Sequence, residues 1–212
     1  MQIHKITFND FGVNTYILSD ATRECIIIDA ACHTSDEEQQ LTQLIRQEQL
    51  MPVKLINTHS HIDHILGNLF VKETYNIPLL AHAKGDTFIK TAAGSASVFG
   101  FQLKGTIYPD TYLEEGHKVS FGESSLDVLY TPGHADGSIC LYSKKDKILI
   151  SGDVLFRDSI GRTDLPTGDY DILNEQIKTK IFTLPDETVV YPGHGPVTSV
   201  GEEAMNNPFV SF

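Results

Sequence analysis

A single layered domain of the α/β or α+β class is what this sequence predicts, and three observations carry that expectation. Short β-branched runs recur along the chain, helical periods fall between them, and 41% of the 212 residues are apolar, which suits one substantial core. In chain order the runs are Ile3 to Phe8, Thr15 to Leu18, Cys25 to Ile28, Val53 to Ile56, Leu79 to Ala81, Lys118 to Phe121, Leu126 to Tyr130, Ile139 to Tyr142, Ile148 to Ile150 and Thr188 to Tyr191. Each is predicted as a strand, because branched and aromatic side chains suit a pleated, half-buried surface.

Three stretches between the strands read as helices. "SDEEQQLTQLIRQEQ" opens with Ser35 and Glu38 at capping-box spacing, "HILGNLFVKETY" follows the fourth strand, and "DYDILNEQIKTKIF" repeats apolar positions at three and four. Residues 91–110, rich in Gly and Ala, show no period and are expected to be loop or irregular helix. Without a repeat or linker, and with 18 residues left after His194, the expectation is one domain over residues 1–212 and no C-terminal helical domain.

Composition narrows the function. Sixteen Lys and Arg against 28 Asp and Glu give a net charge of −12, which repels nucleic-acid phosphates and anionic lipid, and no basic run offsets it. The N-terminal "MQIHKITFNDFG" alternates like a strand and lacks the pattern of a secretory signal, and no apolar run approaches the roughly 20 residues of a membrane span. Cytoplasmic location is expected. Three cysteines, Cys25, Cys32 and Cys140, are odd in number and lie in apolar surroundings, as reduced core residues do.

The chemistry is concentrated in "THSHIDHILGN", Thr58 to Asn68. With nine histidines in the chain, a chance His-x-His-x-x-His triplet is expected only about 0.02 times. His59 and His61, two apart, cannot share a helical face, so they belong to a loop between a strand and a helix. His134, Asp153 and His194 occupy the same station after three later strands, each directly preceded by a Gly. If those strands share a direction, all these side chains emerge at one edge, as ligands converging within about 2.0–2.2 Å of an ion must. Five histidines and two aspartates exceed one tetrahedral zinc and divide well between two ions, the early pair of the loop facing one and Asp63 with His64 the other. Asp29, closing the strand "CIIID", is a candidate to fix a ligand histidine's tautomer, against the plainer reading of a strand-end turn Asp. Tyr16, Tyr108 and Tyr142 are expected in core or rim, and His4, His33, His82 and His117 in surface or capping roles.

These motifs, with "NTYIL", "IIIDAA", "TPGHADGS", "SGDVLF", "GRTDLP" and "YPGHG", resemble the metallo-β-lactamase superfamily over essentially the whole chain, and within it the single-domain branch similar to glyoxalase II, the hydroxyacylglutathione hydrolase. The resemblance implies a four-layer αββα sandwich. It implies His59, His61 and His134 on one metal, Asp63, His64 and His194 on the other, and Asp153 bridging both. Two divalent cations, zinc foremost with iron or manganese as alternatives, would lower a bridging water's pKa from about 15.7 toward about 7 for attack on a small thioester. Asp153 would hold the intermetal distance and Asp63 would orient the nucleophile, so these two are the candidate catalytic carboxylates. Arg162 stands about where the family carries a Lys for the substrate's carboxylate, but Asp164 where it carries a Tyr. "GRTDLP" and "TPGHADG" are also similar to the persulfide dioxygenases, which implies the alternative of a single iron on His59, His134 and Asp153. The expected partner is a small-molecule thioester, with neither nucleic acid nor membrane, and the expected state a monomer or small homo-oligomer.

Overall fold

The strands pack as two sheets layered with helices. The computed structural model describes residues 1–210, so the last two positions of the expected domain lie outside the described residues. The first half builds a sheet of β1 (Gln2–Phe8), β2 (Val13–Ser19), β3 (Glu24–Ile28), β4 (Met51–Ile56), β5 (Leu79–Ala81) and β6 (Thr111–Tyr112), in that spatial order. β1 to β3 form an antiparallel meander, and β3 to β6 run parallel. The parallel steps need crossovers. These are α1 (Ser35–Gln47), the pair α2 (Ile62–Ile65) and α3 (Asn68–Tyr75), and α4 (Asp86–Phe99).

The second half builds a sheet from β7 (Lys118–Phe121), β8 (Ser124–Tyr130), β9 (Ile139–Ser143) and β10 (Ile148–Gly152), with a small hairpin of β11 (Leu155–Phe156) and β12 (Ser159–Ile160) apart from it. Then follow α5 (Tyr170–Gln176), running on through a π-helical stretch Ile177–Ile181, β13 (Val189–Pro192), β14 (Thr198–Ser199) and α6 (Val200–Asn206). The order across this sheet is β14-β13-β10-β9-β8-β7. Two antiparallel steps separate β8 from β10, and β13 is parallel to β10, so β8, β10 and β13 point the same way.

Each strand divides its side chains between two cores. Ile26 and Ile28 of β3 meet Ile139 and Leu141 of β9 between the sheets, while Cys25 and Ile27 face Leu41 and Ile45 of α1, and Cys140 and Tyr142 face Leu173 and Ile177. Three apolar layers therefore bind four structural ones, the αββα sandwich. Burying each such Ile or Leu is worth about 1.5–3 kcal/mol.

Four expectations need correction. The capping box of α1 uses Thr34 and Glu37, one residue before the predicted pair. The helix predicted over 64–75 is two, because the Gly67 N–H bonds Ala30 O at 2.8 Å where the chains cross closely, and a Cβ on Gly67 would lie 2.6 Å from Cys32 Sγ. The first part of 91–110 is regular helix, since α4 buries only Ile89, Ala92 and Ala96, a stripe too small-sided to show a period. Unforeseen, α6 begins at Ser199, whose side chain accepts from Glu202 N.

Candidate metal centre

The sheets meet at their C-terminal edges. Ile139 N–H donates to Thr58 O at 2.8 Å, Asn14 N–H donates to Gly193 O at 2.7 Å, and Val13 bridges His194. Beyond β4 the loop carries His59 and His61, and the single turn of α2 carries Asp63 and His64. A reciprocal amide pair, Asn57 with Asn68, fastens the two ends of this segment. His134, Asp153 and His194 leave the ends of β8, β10 and β13. Glycine is required in all three of these exits: Gly133 has φ +122°, and a Cβ on Gly152 would overlap Thr58 Oγ1 and one on Gly193 Asp153 Oδ1.

All seven donors foreseen from the sequence converge. They fall into groups whose ligand atoms lie within 4.8 Å of one another and could hold a metal: His59, His61 and His134; Asp63, His64 and His194; and, between these, His59, His64 and Asp153. Asp153 Oδ2 lies 3.3 Å from His194 Nε2 and 3.7 Å from His134 Nε2, while its Oδ1 is 3.4 Å from His64 Nε2.

The surroundings of the rings fix their tautomers. A carbonyl only accepts, so His134 Nδ1 donates to Arg162 O at 2.8 Å and His194 Nδ1 to Phe11 O at 2.9 Å. Asp29 Oδ2 accepts from His64 Nδ1 at 3.0 Å and from the Thr58 hydroxyl at 2.6 Å, which leaves Thr58 Oγ1 to accept from His59 Nδ1 at 3.2 Å. Four Nε2 atoms therefore point inward. His64 Nε2 faces His194 Nε2 at 3.3 Å, and His61 Nδ1 faces the Nε2 atoms of His134 and His59 at 3.0 and 3.1 Å. Nitrogens facing one another so closely need a proton or a cation between them, and buried Asp153 Oδ1 has no hydrogen-bond partner. Dry imidazoles and carboxylates of this kind fit divalent transition metals.

Without ions, the two groups titrate in opposite directions. Burial pushes His59 well below the usual histidine range, helped by His64; burial also lowers His61, to about 4, with His134 adding to the shift, and it outweighs Asp153 at His134. At His64 burial is overcome by Asp153, Asp63 and Asp29, which raise it well above that range, and hydrogen bonds to Asp153 and Asp63 raise His194 to about 9 despite burial. His64 in turn holds Asp153 well below the carboxylate range, and Asp63 below it, against burial. Protons on His64 and His194 thus answer the carboxylates where cations otherwise would.

A cleft of about 710 Å³ opens over the donors, walled by Phe11, Phe88, Phe99, Phe156 and Leu165 among others. The Phe88 ring stands edge-on to His61, centroids 4.9 Å apart. Arg162 lines the cleft, but its guanidinium is engaged by Asp164 in a two-pronged pair at 2.7 Å each.

Asp29 contacts His64, one of the candidate donors: besides its bonds to His64 and the Thr58 hydroxyl, it accepts from Thr58 N at 2.7 Å. His33 pairs with Glu37 and His82 stacks on Tyr130, both away from the donors, and Cys32 is buried, its thiol pushed up to about 12. Sequence reasoning missed the ligand-orienting carbonyls of Phe11 and Arg162, along with Thr58 and Asn14. Asn14 donates to Pro192 O and Gly195 O at 3.0 and 2.9 Å, holding the His194 turn. The available signal was polarity: Asn14 and Thr15 put two adjacent polar side chains into a short strand-like run, which the structure buries throughout.

The layered fold and the donor cage at its shared edge define a metal-binding αββα protein. The chain matches the Metallo-beta-lactamase superfamily over residues 8–194, and it belongs to that superfamily. It is 37% identical over 214 aligned positions to the probable metallo-hydrolase YqgX of Bacillus subtilis, spanning 100% of this chain and 98% of that protein. To the hydroxyacylglutathione hydrolase GloC of Haemophilus influenzae it is 31% identical over 213, spanning 100% and 99%. Among solved structures it resembles the BLEG-1 B3 metallo-beta-lactamase, with a TM-score of 0.91, 36% identity and full coverage of both chains. TTHA1623 in a di-iron-bound form matches with a TM-score of 0.88 and 33% identity, over 97% of this chain and 99% of that one. Family and relatives agree on a metallo-hydrolase. No helix among the described residues is long and apolar enough to cross a membrane.

Proposed function

We propose that the chain is a binuclear metal-dependent hydrolase of small thioesters, similar to glyoxalase II, using zinc foremost and iron or manganese as alternatives. In this reading His59, His61 and His134 hold one ion, Asp63, His64 and His194 the other, and Asp153 reaches between them. The observation that carries it is the inward convergence of imidazole Nε2 atoms, His64 and His194 facing each other at 3.3 Å with both Nδ1 protons spent on outward acceptors.

When bound, the ions supply a water of lowered pKa and polarise a carbonyl. Asp63 Oδ2, 3.4 Å from His194 Nε2, orients the attacking water by accepting its hydrogen bond. The aromatic walls exclude bulk water from the reacting carbonyl. No Lys, Tyr or Cys is among the described residues lining the cleft, so a strong proton donor for the leaving group is lacking. That suits a thiolate, whose conjugate acid has a pKa of about 8.5, better than an amine. Arg162 is where a substrate carboxylate meets the chain, in exchange for Asp164.

Elemental analysis of purified protein, alongside assays with S-lactoylglutathione and coenzyme A thioesters before and after chelation, tests the reading. Two ions per chain and chelator-sensitive hydrolysis are expected. A metal-loaded protein inert on every thioester ends it. The alternative, one iron on His59, His134 and Asp153, would leave the His64–His194 pair facing each other with no ion between, and one iron per chain would favour it.

A further inference from the structure

We infer that the β1–β2 connection together with the first two residues of β2, Asn9 to Asn14, is a positioning device for the second ion alone, with Asn9 as its key residue; the inference rests on the two-ion reading above. α2 is a single helical turn, so its carbonyls have no partners within the helix. Asn9 Nδ2 donates to the carbonyl of Asp63 at 3.0 Å and to Ala31 O at 3.2 Å. It thereby ties the turn bearing Asp63 and His64 to the segment after β3. Asn9 can do so because it adopts φ +52°, a left-handed conformation that Asn tolerates. Its own backbone is pinned as well: Asn9 N–H donates to Glu37 Oε1 at 2.7 Å, and Asn9 Oδ1 accepts from Phe11 N at 2.9 Å.

That last bond holds Phe11 on its N-terminal side, and the Phe11 carbonyl, one peptide further on, accepts the Nδ1 proton of His194 at 2.9 Å. Val13 then bridges His194, and Asn14 N–H donates to Gly193 O at 2.7 Å. One turn of the first sheet thus grips Asp63 through its backbone and His194 through its ring. These two donors come from opposite sheets and belong to the same group. Of the other group, His134 is oriented by Arg162 O and His59 by Thr58, whose hydrogen bonds run to other partners than this turn. Losing the Asn9 amide therefore loosens one group and spares the other.

The test is zinc titration of the ion-free protein against a chromophoric chelator, comparing wild type with Asn9→Gly. Glycine keeps the left-handed backbone and adds no charge, deleting only the amide. Filling of the His59–His61–His134 group is the internal control for folding, since it needs both sheets. The expected result is a 10- to 100-fold weaker Kd for one of two steps, the scale on which outer partners of ligands act, with the other step unchanged. Histidine NMR should assign the weakened step to His64 and His194. A wild type that takes up one ion overturns the two-ion reading, and the inference with it. Two ions in wild type, with both steps weakened alike or neither weakened in the variant, overturns the inference alone.

Discussion

Asp29→Asn changes one atom and should disturb both metal groups. The backbone at residue 29 has φ +52°, which Asn accepts as readily as Asp, so no strain is added. The asparagine oxygen can still accept from Thr58 N at the 2.7 Å site, but an NH₂ now faces the Thr58 hydroxyl and His64 Nδ1. Thr58 must turn its hydrogen toward His59 Nδ1, and His64 Nδ1 must become an acceptor. Both rings then carry their proton on Nε2, the atom the proposed ions require. Each lost orienting partner costs 10- to 100-fold in metal affinity, about 1.4–2.8 kcal/mol, with one affected ring in each group. Stepwise zinc affinities measured with a competing chelator should both fall by that amount, unlike the single step expected for Asn9→Gly. Wild-type affinity for both ions in Asp29→Asn would show that the Asp29 network does not set the tautomers, and would refute the reasoning.

Acidification should remove the ions in sequence. A proton must leave His194, raised to about 9, before an ion can bind, so the affinity of the Asp63–His64–His194 group climbs with pH up to about 9 and falls below it. The other group, with His61 near 4, resists acid further. Dialysis near pH 5.5 followed by metal analysis should leave one ion per chain, and simultaneous loss of both would refute the ordering. Gly193→Ala drives a methyl into Asp153 Oδ1 and should cost about 1–3 kcal/mol along with most metal uptake; thermal melts and metal content check both. Asp164→Asn frees the guanidinium of Arg162, which should lower KM for S-lactoylglutathione several-fold at unchanged kcat, without moving the melting temperature. An equal change for an uncharged thioester would exclude Arg162 as the carboxylate partner.

The candidate donors were legible because His and Asp at metal spacing are chemically scarce: His59, His61, Asp63 and His64 stood out by spacing, and His134, Asp153 and His194 by their common station after apolar strands. Their orientation was not legible. Phe11 and Arg162 act through backbone carbonyls, which every residue possesses, so nothing in their side chains marks them. Asp29 lay between these cases, readable as a carboxylate at a strand end but indistinguishable from a turn Asp until Thr58 and His64 closed on it. Strands were easier than helices for a related reason. β3 divides Ile26 and Ile28 from Cys25 and Ile27 by strict alternation, whereas α4 hides its buried face in alanines.

The donor cage draws on both halves of the polypeptide, His59 to His64 from the first and His134, Asp153 and His194 from the second. Ions held there would rivet two sheets that otherwise touch mainly through greasy side chains, and the spacing of those sheets becomes a setting of the reaction chemistry. Hollowing out that interior at Leu141, which does not line the cleft, would let the halves slide and spoil the fit for the pair of ions, so inactivating changes need not fall on any histidine.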